Sequence, residues 1–336
     1  MDKTVSFIIP SYNVEKYIAK CLDSFIEEDL LNYIEVLVVN DGSTDQTSFI
    51  ARKYEKKYQN VFKVFDKENG GHGSTINFGV QHASGKYIKV IDADDWVDTK
   101  ELSNYVRKLQ EVDADIVLTH FNTFDIKSKT IIKHSLRNVN FGTNNSLLDI
   151  MRNFNDYDEC LCFHGITYSL KYYLSCNIHL SEHVFYEDNE YSTFPFYKAQ
   201  KIVSIDTTLY QYRVGDVEQS VSIQSRVKRL DDEKKVIDNM LDFYKKYVNN
   251  EAVLEYFNMK ISRVLVSHWI TCLLAYSDRK AGKNRARELY QKLNDLPELK
   301  KTVEKKYMLL RIASNMHMSF QSFMNIIEIS KKRRFK

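Results

Sequence analysis

The first hundred residues alternate short apolar runs with helically spaced ones, and few folds accept that order. Val5-Ser6-Phe7-Ile8-Ile9 reads as a β-branched strand stopped by Pro10. Helical spacing follows over 14–28 (Tyr17, Ile18, Cys21, Leu22, Phe25), then a second strand over 34–39 that ends in Asn40-Asp41-Gly42-Ser43-Thr44-Asp45. A helix over 45–58 has Ser43 or Thr44 as its N-cap, and a third strand covers 61–65. The turn Asn69-Gly70-Gly71-His72-Gly73 opens a helix to about residue 83, and a strand over 87–91 runs into Asp92-Ala93-Asp94-Asp95. This βαβαβαβ order implies an α/β fold with a mostly parallel sheet and flanking helices. Ligands of such sheets lie beyond the carboxyl ends of the strands, where Pro10, Asp41 and Asp92 all fall.

Three carboxylates in four positions repel one another unless a cation sits among them. A strand end leaves alternate side chains on the same face, so Asp92 and Asp94 point the same way. That pair suits Mg2+ or Mn2+ held by one or two carboxylates plus phosphate oxygens. The competing reading is an acidic turn that caps the next helix. Six of the ten glycines fall within residues 42–85, which concentrates backbone freedom where a chain must approach a ligand closely.

Composition narrows the class. A hydrophobic share of 43% and a charged share of 28% are those of a soluble globular protein. Five cysteines without a repeating spacing read as reduced thiols, most of them in the core, in a cytoplasmic protein. Met1-Asp2-Lys3 leads straight into a strand, which reads as no signal peptide, and no run of 18 uncharged apolar residues spans a membrane. Net charge is +3, yet residues 301–336 hold nine Lys or Arg against Glu304 and Glu328, so the rest of the chain is acidic.

Beyond residue 100 the pattern is mixed. A strand covers 116–119, a hairpin 130–140, a helix from Glu187-Asp188 to Tyr197, and strands 202–205 and 209–212. Helices follow over 226–248, 251–276 and 283–294, Pro297 marks a break, and 302–330 is apolar at helical spacing. The organisation read from this is a catalytic domain over 1–222 and an α-helical region over 223–336 with a basic amphipathic tail. The tail, ending in Lys331-Lys332-Arg333-Arg334-Phe335-Lys336, has two readings. It lies on an anionic membrane surface at the inner face of the cell membrane, or it packs on the protein with a solvated basic end. The aromatic-rich helices of 226–330 offer a homodimer surface, and no nucleic-acid-binding motif accompanies the basic cluster.

Ile8-Ile9-Pro10-Ser11-Tyr12-Asn13, Val39-Asn40-Asp41-Gly42-Ser43-Thr44-Asp45, Asn69-Gly70-Gly71-x-Gly73 and Ile91-Asp92-Ala93-Asp94-Asp95 stand in series over residues 4–100. Together they resemble the family 2 glycosyltransferases, inverting enzymes of the Rossmann-like GT-A fold that use nucleotide-activated sugars, among them enzymes of bacterial surface polysaccharides. The resemblance implies that Pro10, Tyr12 and Glu15 border the base and ribose, and that Asp41 accepts a hydrogen bond from a uracil-type base. It implies that Asp92, with Ala93 beside it, lies near ribose and sugar, that Asp94 holds the metal and that Asp95 supports it. Asp188 corresponds to the catalytic base, with a helix N-cap as the competing role. Tyr212-Arg213 followed by Ser220-Val221-Ser222 is similar to a late segment that closes over the diphosphate or the acceptor, and Arg213 either pairs with phosphate or salt-bridges at the surface.

Asn77 matches a donor-binding position, but Ile76 replaces the family's usual arginine beside it. His72 contacts the donor or is an ordinary loop residue, and His183 is a weaker candidate. The Gln-x-x-Arg-Trp signature of processive members is absent, so one sugar is expected per encounter. The implied partners are a UDP-sugar donor and a saccharide or lipid-linked saccharide acceptor. A nucleotidyltransferase or dehydrogenase would need a glycine-rich phosphate loop after the first strand, where Pro10-Ser11-Tyr12-Asn13 stands. The alternative from another class is a non-catalytic nucleotide-sugar binder or membrane scaffold.

Overall fold

The computed structural model describes residues 3–215 and 222–334, with side chains as far as Ile327. Ser220, Val221, Phe335 and Lys336 lie outside the described residues, as do the side chains of Lys331, Lys332, Arg333 and Arg334. The chain divides into two compact units, Met1–Asp216 with Glu251–Val253, and Val217–Asn250 with Leu254–Lys336.

In the first unit the order is β1 (Val5–Ser11), α1 (Ile18–Asp23), β2 (Ile34–Asn40), α2 (Thr47–Lys57), β3 (Phe62–Asp66), α3 (His72–His82) and β4 (Tyr87–Val90). There follow β5 (Trp96–Val97), α4 (Thr99–Glu111), β6 (Ile116–Asp125), β7 (Ile131–His134), β8 (Asn144–Asn145), α5 (Leu147–Arg152) and α6 (Phe154–Tyr157). The unit ends with β9 (Ile166–Ser169), α7 (Leu170–Ser175), α8 (Asp188–Tyr191) and β10 (Ile202–Val214). All strands join one mixed sheet in the order β3-β2-β1-β4-β9-β6-β10-β5, with β7 on β6 and β8 on β10. Most paired residues lie in parallel ladders, β3-β2-β1-β4 and β6-β10, as the repeated strand–helix order requires. β9 runs antiparallel to both β4 and β6, and so joins the two parallel blocks.

β1 and β2 are buried at every position, which is why they read as mostly apolar runs, and a polar pair within them, Ser6 and Glu35, is hydrogen-bonded at 2.6 Å. β1 continues through Pro10 to Ser11. Pairing with β4 ends at Ile8↔Val90, so Pro10 keeps only β2 as a neighbour, and its missing N–H leaves no gap in the β4 ladder. The helix expected over 14–28 is confined to Ile18–Asp23, because Asn13 has φ 52 and Glu27 is extended. The α2 N-terminus is capped neither by Ser43 nor by Thr44: Gln46 occupies the cap, and Asp45 Oδ1 accepts the Thr47 N–H at 2.9 Å. The expected helix from Glu187 to Tyr197 is a short α8 followed by a 3-10 turn, Phe194–Lys198. The strands read at 202–205 and 209–212 are one strand, β10, whose pairing shifts register between Ser204 and Tyr210.

The second unit is helical, with α9 (Ile223–Lys228), α10 (Leu230–Tyr247), α11 (Glu251–Ile270), α12 (Arg279–Lys292), α13 (Pro297–Asn315) and α14 (Phe320–Arg334). A five-residue π-helix, Thr271–Ala275, extends α11. Pro297 starts α13 at its first turn, where a missing N–H leaves no bond unmade. The helix expected over 302–330 is broken after Asn315, and His317 takes φ 55 there. No helix among the described residues is long and apolar enough to cross a membrane, and all five cysteines are free thiols.

Candidate active site

The site begins where β1 and β2 end. The Asp41 N–H donates to Ser11 O at 2.8 Å, which fixes the two strand ends together. Asp41 is 2% exposed, and its carboxylate accepts the N–H of Gly70 (2.9 Å), the N–H of Gly71 (2.8 Å) and Lys67 Nζ (2.8 Å). Three donors on one buried carboxylate compensate its desolvation. Asp41, expected to meet the base, thus holds the glycine-rich turn. Gly71 has φ 86, and a Cβ there would sit 3.1 Å from the His183 backbone N. The His183 N–H in turn donates to Gly70 O at 2.6 Å, so that residue contributes its backbone, while its ring is exposed.

The first-strand loop is stitched to the loop after β2. Asn13 Oδ1 accepts the Thr44 N–H (2.8 Å) and Glu15 Oε2 accepts the Gln46 N–H (2.9 Å), placing Glu15 at the start of α2. Pro10 is buried near the end of β1, and Tyr12 stands 52% exposed on the loop that follows.

The acidic cluster sits in a turn and not on a strand. β4 stops at Val90, and the Asp95 N–H donates to Asp92 O at 2.9 Å, a four-residue turn with Ala93 buried inside it. This turn, and not the alternation of a strand, gathers the carboxylates: one oxygen from each of Asp92, Asp94 and Asp95 lies within 4.8 Å of the others. The three differ in commitment. Asp95 is 1% exposed and accepts the Tyr210 hydroxyl at Oδ2 (2.6 Å) and the Arg213 N–H at Oδ1 (2.7 Å). Expected to support the metal, it contributes one oxygen to this group and also ties the turn to β10. Burial, with the charges of Asp94 and Asp92, pushes its carboxyl well above the usual range.

Burial also raises Asp92, but the adjoining His72 more than offsets this and holds it below the usual range. Asp94 is the most exposed of the three. Partial burial and the Asp92 charge push it up to about 6, and the one cation within 4 Å among the described residues is Arg213 Nη1 at 3.8 Å. That guanidinium lies 4.2 Å from the Tyr17 ring centroid and reaches the Tyr17 hydroxyl at 3.2 Å. It is therefore buried beside the cluster and is not a surface ion pair. Asp94, with Asp92 beside it, fits a hard divalent ion: repelling, partly desolvated carboxylate oxygens, with Arg213 3.8 Å from Asp94 and His72 against Asp92 Oδ1 as their cationic neighbours.

His72, the first residue of α3, bridges the cluster to the Glu187-Asp188 segment. Its Nε2 lies 2.9 Å from Asp92 Oδ1 and its Nδ1 2.6 Å from Glu187 Oε1. Desolvation alone would lower its pKa, yet the two carboxylates raise it well above the ordinary value. The ring is thus engaged within the protein and has no nitrogen left for a donor. Gly73 allows this closeness, because a Cβ there would meet Ser181 O at 2.3 Å and Glu187 Cγ at 2.8 Å. Glu187 occupies the cap of α8, so Asp188 is the first helical residue and is exposed, one position from the bridge. The N-cap position considered for Asp188 is thus Glu187's, whose side chain makes no capping hydrogen bond and reaches His72.

Asn77 makes no contact with this cluster among the described residues. Its amide donates to Leu180 O (3.0 Å) and Glu182 Oε1 (3.1 Å), and its Oδ1 accepts the Leu180 N–H (3.0 Å). It brackets the 180–182 segment. Lys67 and Tyr210, which sequence reasoning missed, complete the site, together with Glu187 and Tyr212, which it named only as neighbours of Asp188 and Arg213. Glu187 is the far end of the His72 bridge, and Lys67 neutralises Asp41. The Tyr210 hydroxyl accepts the Asp92 N–H at 3.2 Å while donating to Asp95. Tyr212 stacks on His164 with centroids 4.2 Å apart, and burial followed by the charges of Asp95, Asp92, Asp94 and Asp188 raises its hydroxyl pKa. The alternation Tyr210-x-Tyr212 on one strand was the available signal.

Comparison with known proteins gives these features a family. The model of glycosyl transferase family 2 matches residues 6–172, and that of the SF0329 protein family matches residues 163–311. The chain is 28% identical over 220 residues to glycosyltransferase GlyA of Streptococcus pneumoniae, covering 64% of this chain and 31% of GlyA. It is 26% identical over 298 residues to the uncharacterized glycosyltransferase EpsJ of Bacillus subtilis, covering 88% of this chain and 84% of EpsJ. It thus spans about a third of one relative and most of the other. The crystal structure of S. aureus TarS 1-349 in complex with UDP-GlcNAc superposes with a TM-score of 0.60 at 19% identity, over 94% of this chain and 92% of that one, which is a likeness of fold. The parallel β1–β4 block, the acidic turn after β4 and the match over residues 6–172 agree, and the chain belongs to family 2 of the glycosyltransferases.

Proposed function

We propose that this protein transfers one sugar from a UDP-sugar to a hydroxyl of a saccharide or lipid-linked saccharide, with inversion, in bacterial surface polysaccharide synthesis. The observation that carries the reading is the acidic turn: three carboxylates within 4.8 Å, bridged through His72 to the segment that presents Asp188. The solved TarS complex contains UDP-GlcNAc, which makes UDP the first nucleotide to test. In this reading Tyr12 and Pro10 face the base, Asp92 the ribose and sugar, and Arg213 the diphosphate.

Asp94 and Asp92 would hold Mn2+ or Mg2+, which when bound neutralises charge on the departing diphosphate. The protein's own groups supply the rest. Arg213, fixed by stacking on Tyr17, presents a donor fork toward phosphate. Asp188 accepts the proton of the acceptor hydroxyl as its oxygen bonds to the anomeric carbon and the bond to the diphosphate breaks. Asp95 and Tyr210 keep the turn in register with β10. The protein acts in the cytoplasm on this reading, with the basic tail at the inner face of the membrane.

The test is nucleotide release from a panel of UDP-, GDP- and dTDP-sugars with Mn2+ or Mg2+, with and without EDTA. Metal-dependent hydrolysis of one donor supports the transferase reading and identifies the sugar. Binding of UDP with no turnover of any donor, even with saccharide acceptors present, favours the non-catalytic binder.

A further inference from the structure

The second unit holds a cavity of about 410 Å³ that none of the preceding chemistry uses. It lies between α12 and α13 and is lined by Arg279, Lys280, Lys283, Arg287 and Arg311, with no Asp or Glu in its wall. The local sequence is arranged against helix stability. Arg279, Lys283 and Arg287 recur at four-residue steps and so share one face of α12, where like charges destabilise one another. Arg279 and Lys280 also occupy the first turn, the positive end of the helix dipole, and that turn contains no acidic residue. The nearest carboxylate in sequence, Asp278, is spent on the N-cap, accepting the N–H of Lys280 and of Ala281 at 2.9 Å.

Other cations of the same helix are neutralised. Arg285 pairs with Asp231 and Lys292 with Asp238, both acids on α10. None of the five cavity cations forms an ion pair among the described residues. Two polar groups of the wall are also left over. The Ser314 hydroxyl has no partner although the residue is 1% exposed, and Arg279 Nη1 is buried without one. Buried polar atoms are rarely left unsatisfied, and an anion in the cavity would satisfy both. A local conflict of this kind marks a place where something outside the chain completes the structure.

We infer that this cavity binds phosphate groups, as a diphosphate or a phosphodiester. Five converging cations exceed what one carboxylate can neutralise, and three of them are arginines, whose forks match phosphate oxygens. The volume falls within the range of small-molecule sites and exceeds the room a single phosphate needs. The phosphate comes from a soluble molecule or from a lipid headgroup. The second source is fitted by Leu309, Ile312 and Met316, which stand 56%, 55% and 71% exposed on either side of Arg311 and just after α13.

The test uses the full chain in EDTA, so that no divalent ion supports diphosphate binding in the first unit. Inorganic pyrophosphate is titrated calorimetrically, and vesicles of phosphatidylcholine with and without phosphatidylglycerol are tested by co-sedimentation. Pyrophosphate binding that weakens about tenfold or more in Lys283→Gln/Arg287→Gln, with UDP binding in Mn2+ unchanged, supports the site and a soluble source. Sedimentation with phosphatidylglycerol vesicles alone, lost in the same variant and competed by pyrophosphate, supports the site and a lipid source. Arg311→Gln, on the opposite wall, gives the same readout should the double variant unfold. Binding of neither probe, or equal binding by wild type and variants, overturns the inference.

Discussion

Lys89 offers a prediction whose size follows from its surroundings. It lies on β4 with 0% exposure, and its Nζ donates to His164 O at 2.9 Å and Ile166 O at 3.1 Å. No carboxylate pairs with it among the described residues. Burial lowers its pKa from 10.5 to about 7. Between those values the unfolded chain holds a proton that the folded chain has released, so stability rises with pH, by up to about 1.4 kcal/mol per unit. Below pH 7 both states are protonated and the full cost of the buried charge applies.

In Lys89→Met the amine is gone and this contribution vanishes, while two carbonyls lose a donor at a constant cost of about 1–3 kcal/mol. Urea unfolding of both proteins at pH 7.5 and 9.0, at fixed ionic strength, reads the difference. Wild type should gain about 2 kcal/mol over the variant across that interval. Parallel pH profiles for the two proteins would refute the reasoning, because they would mean that Lys89 keeps its proton when folded or that the strand is hydrated.

Two further perturbations address the site. Asp188→Asn should lower turnover by about 10²–10⁴-fold with UDP affinity unchanged, measured by steady-state kinetics and calorimetry; equal loss of both would make Asp188 a binding residue. Gly73→Ala should cost about 1–3 kcal/mol in thermal unfolding and lower turnover as well, since its Cβ would displace Ser181 O and Glu187, and an unchanged melting temperature would mean the Glu187-Asp188 segment moves freely.

The parallel half of the sheet was legible because β1 and β2 are buried at every position and rich in Val and Ile, with few polar residues. β9 was not, since Ile166-Thr167-Tyr168-Ser169 is four residues long and its pairing to β4 and β6 is set by tertiary neighbours. A register shift hid the continuity of β10. The break at His317 carries neither Gly nor Pro, so helical spacing ran through it unmarked. At the site, Asp92, Asp94, Asp41 and Asp188 stood out as residue types in short motifs. The bridge from His72 to Glu187 joins positions 115 apart in sequence, a distance at which spacing carries no signal. That Asp92 and Asp94 lie together was anticipated from strand alternation, where a turn brings them together along with Asp95.

On the proposed function the acidic turn binds a metal that in turn recruits the nucleotide diphosphate. Calorimetric titration of UDP, with Mn2+ and with EDTA, into wild type and Asp94→Asn tests it most directly. The account predicts binding to wild type in Mn2+, weakened by at least about tenfold both in EDTA and in Asp94→Asn. UDP binding of equal strength with and without metal, or equal in the two proteins, would contradict it.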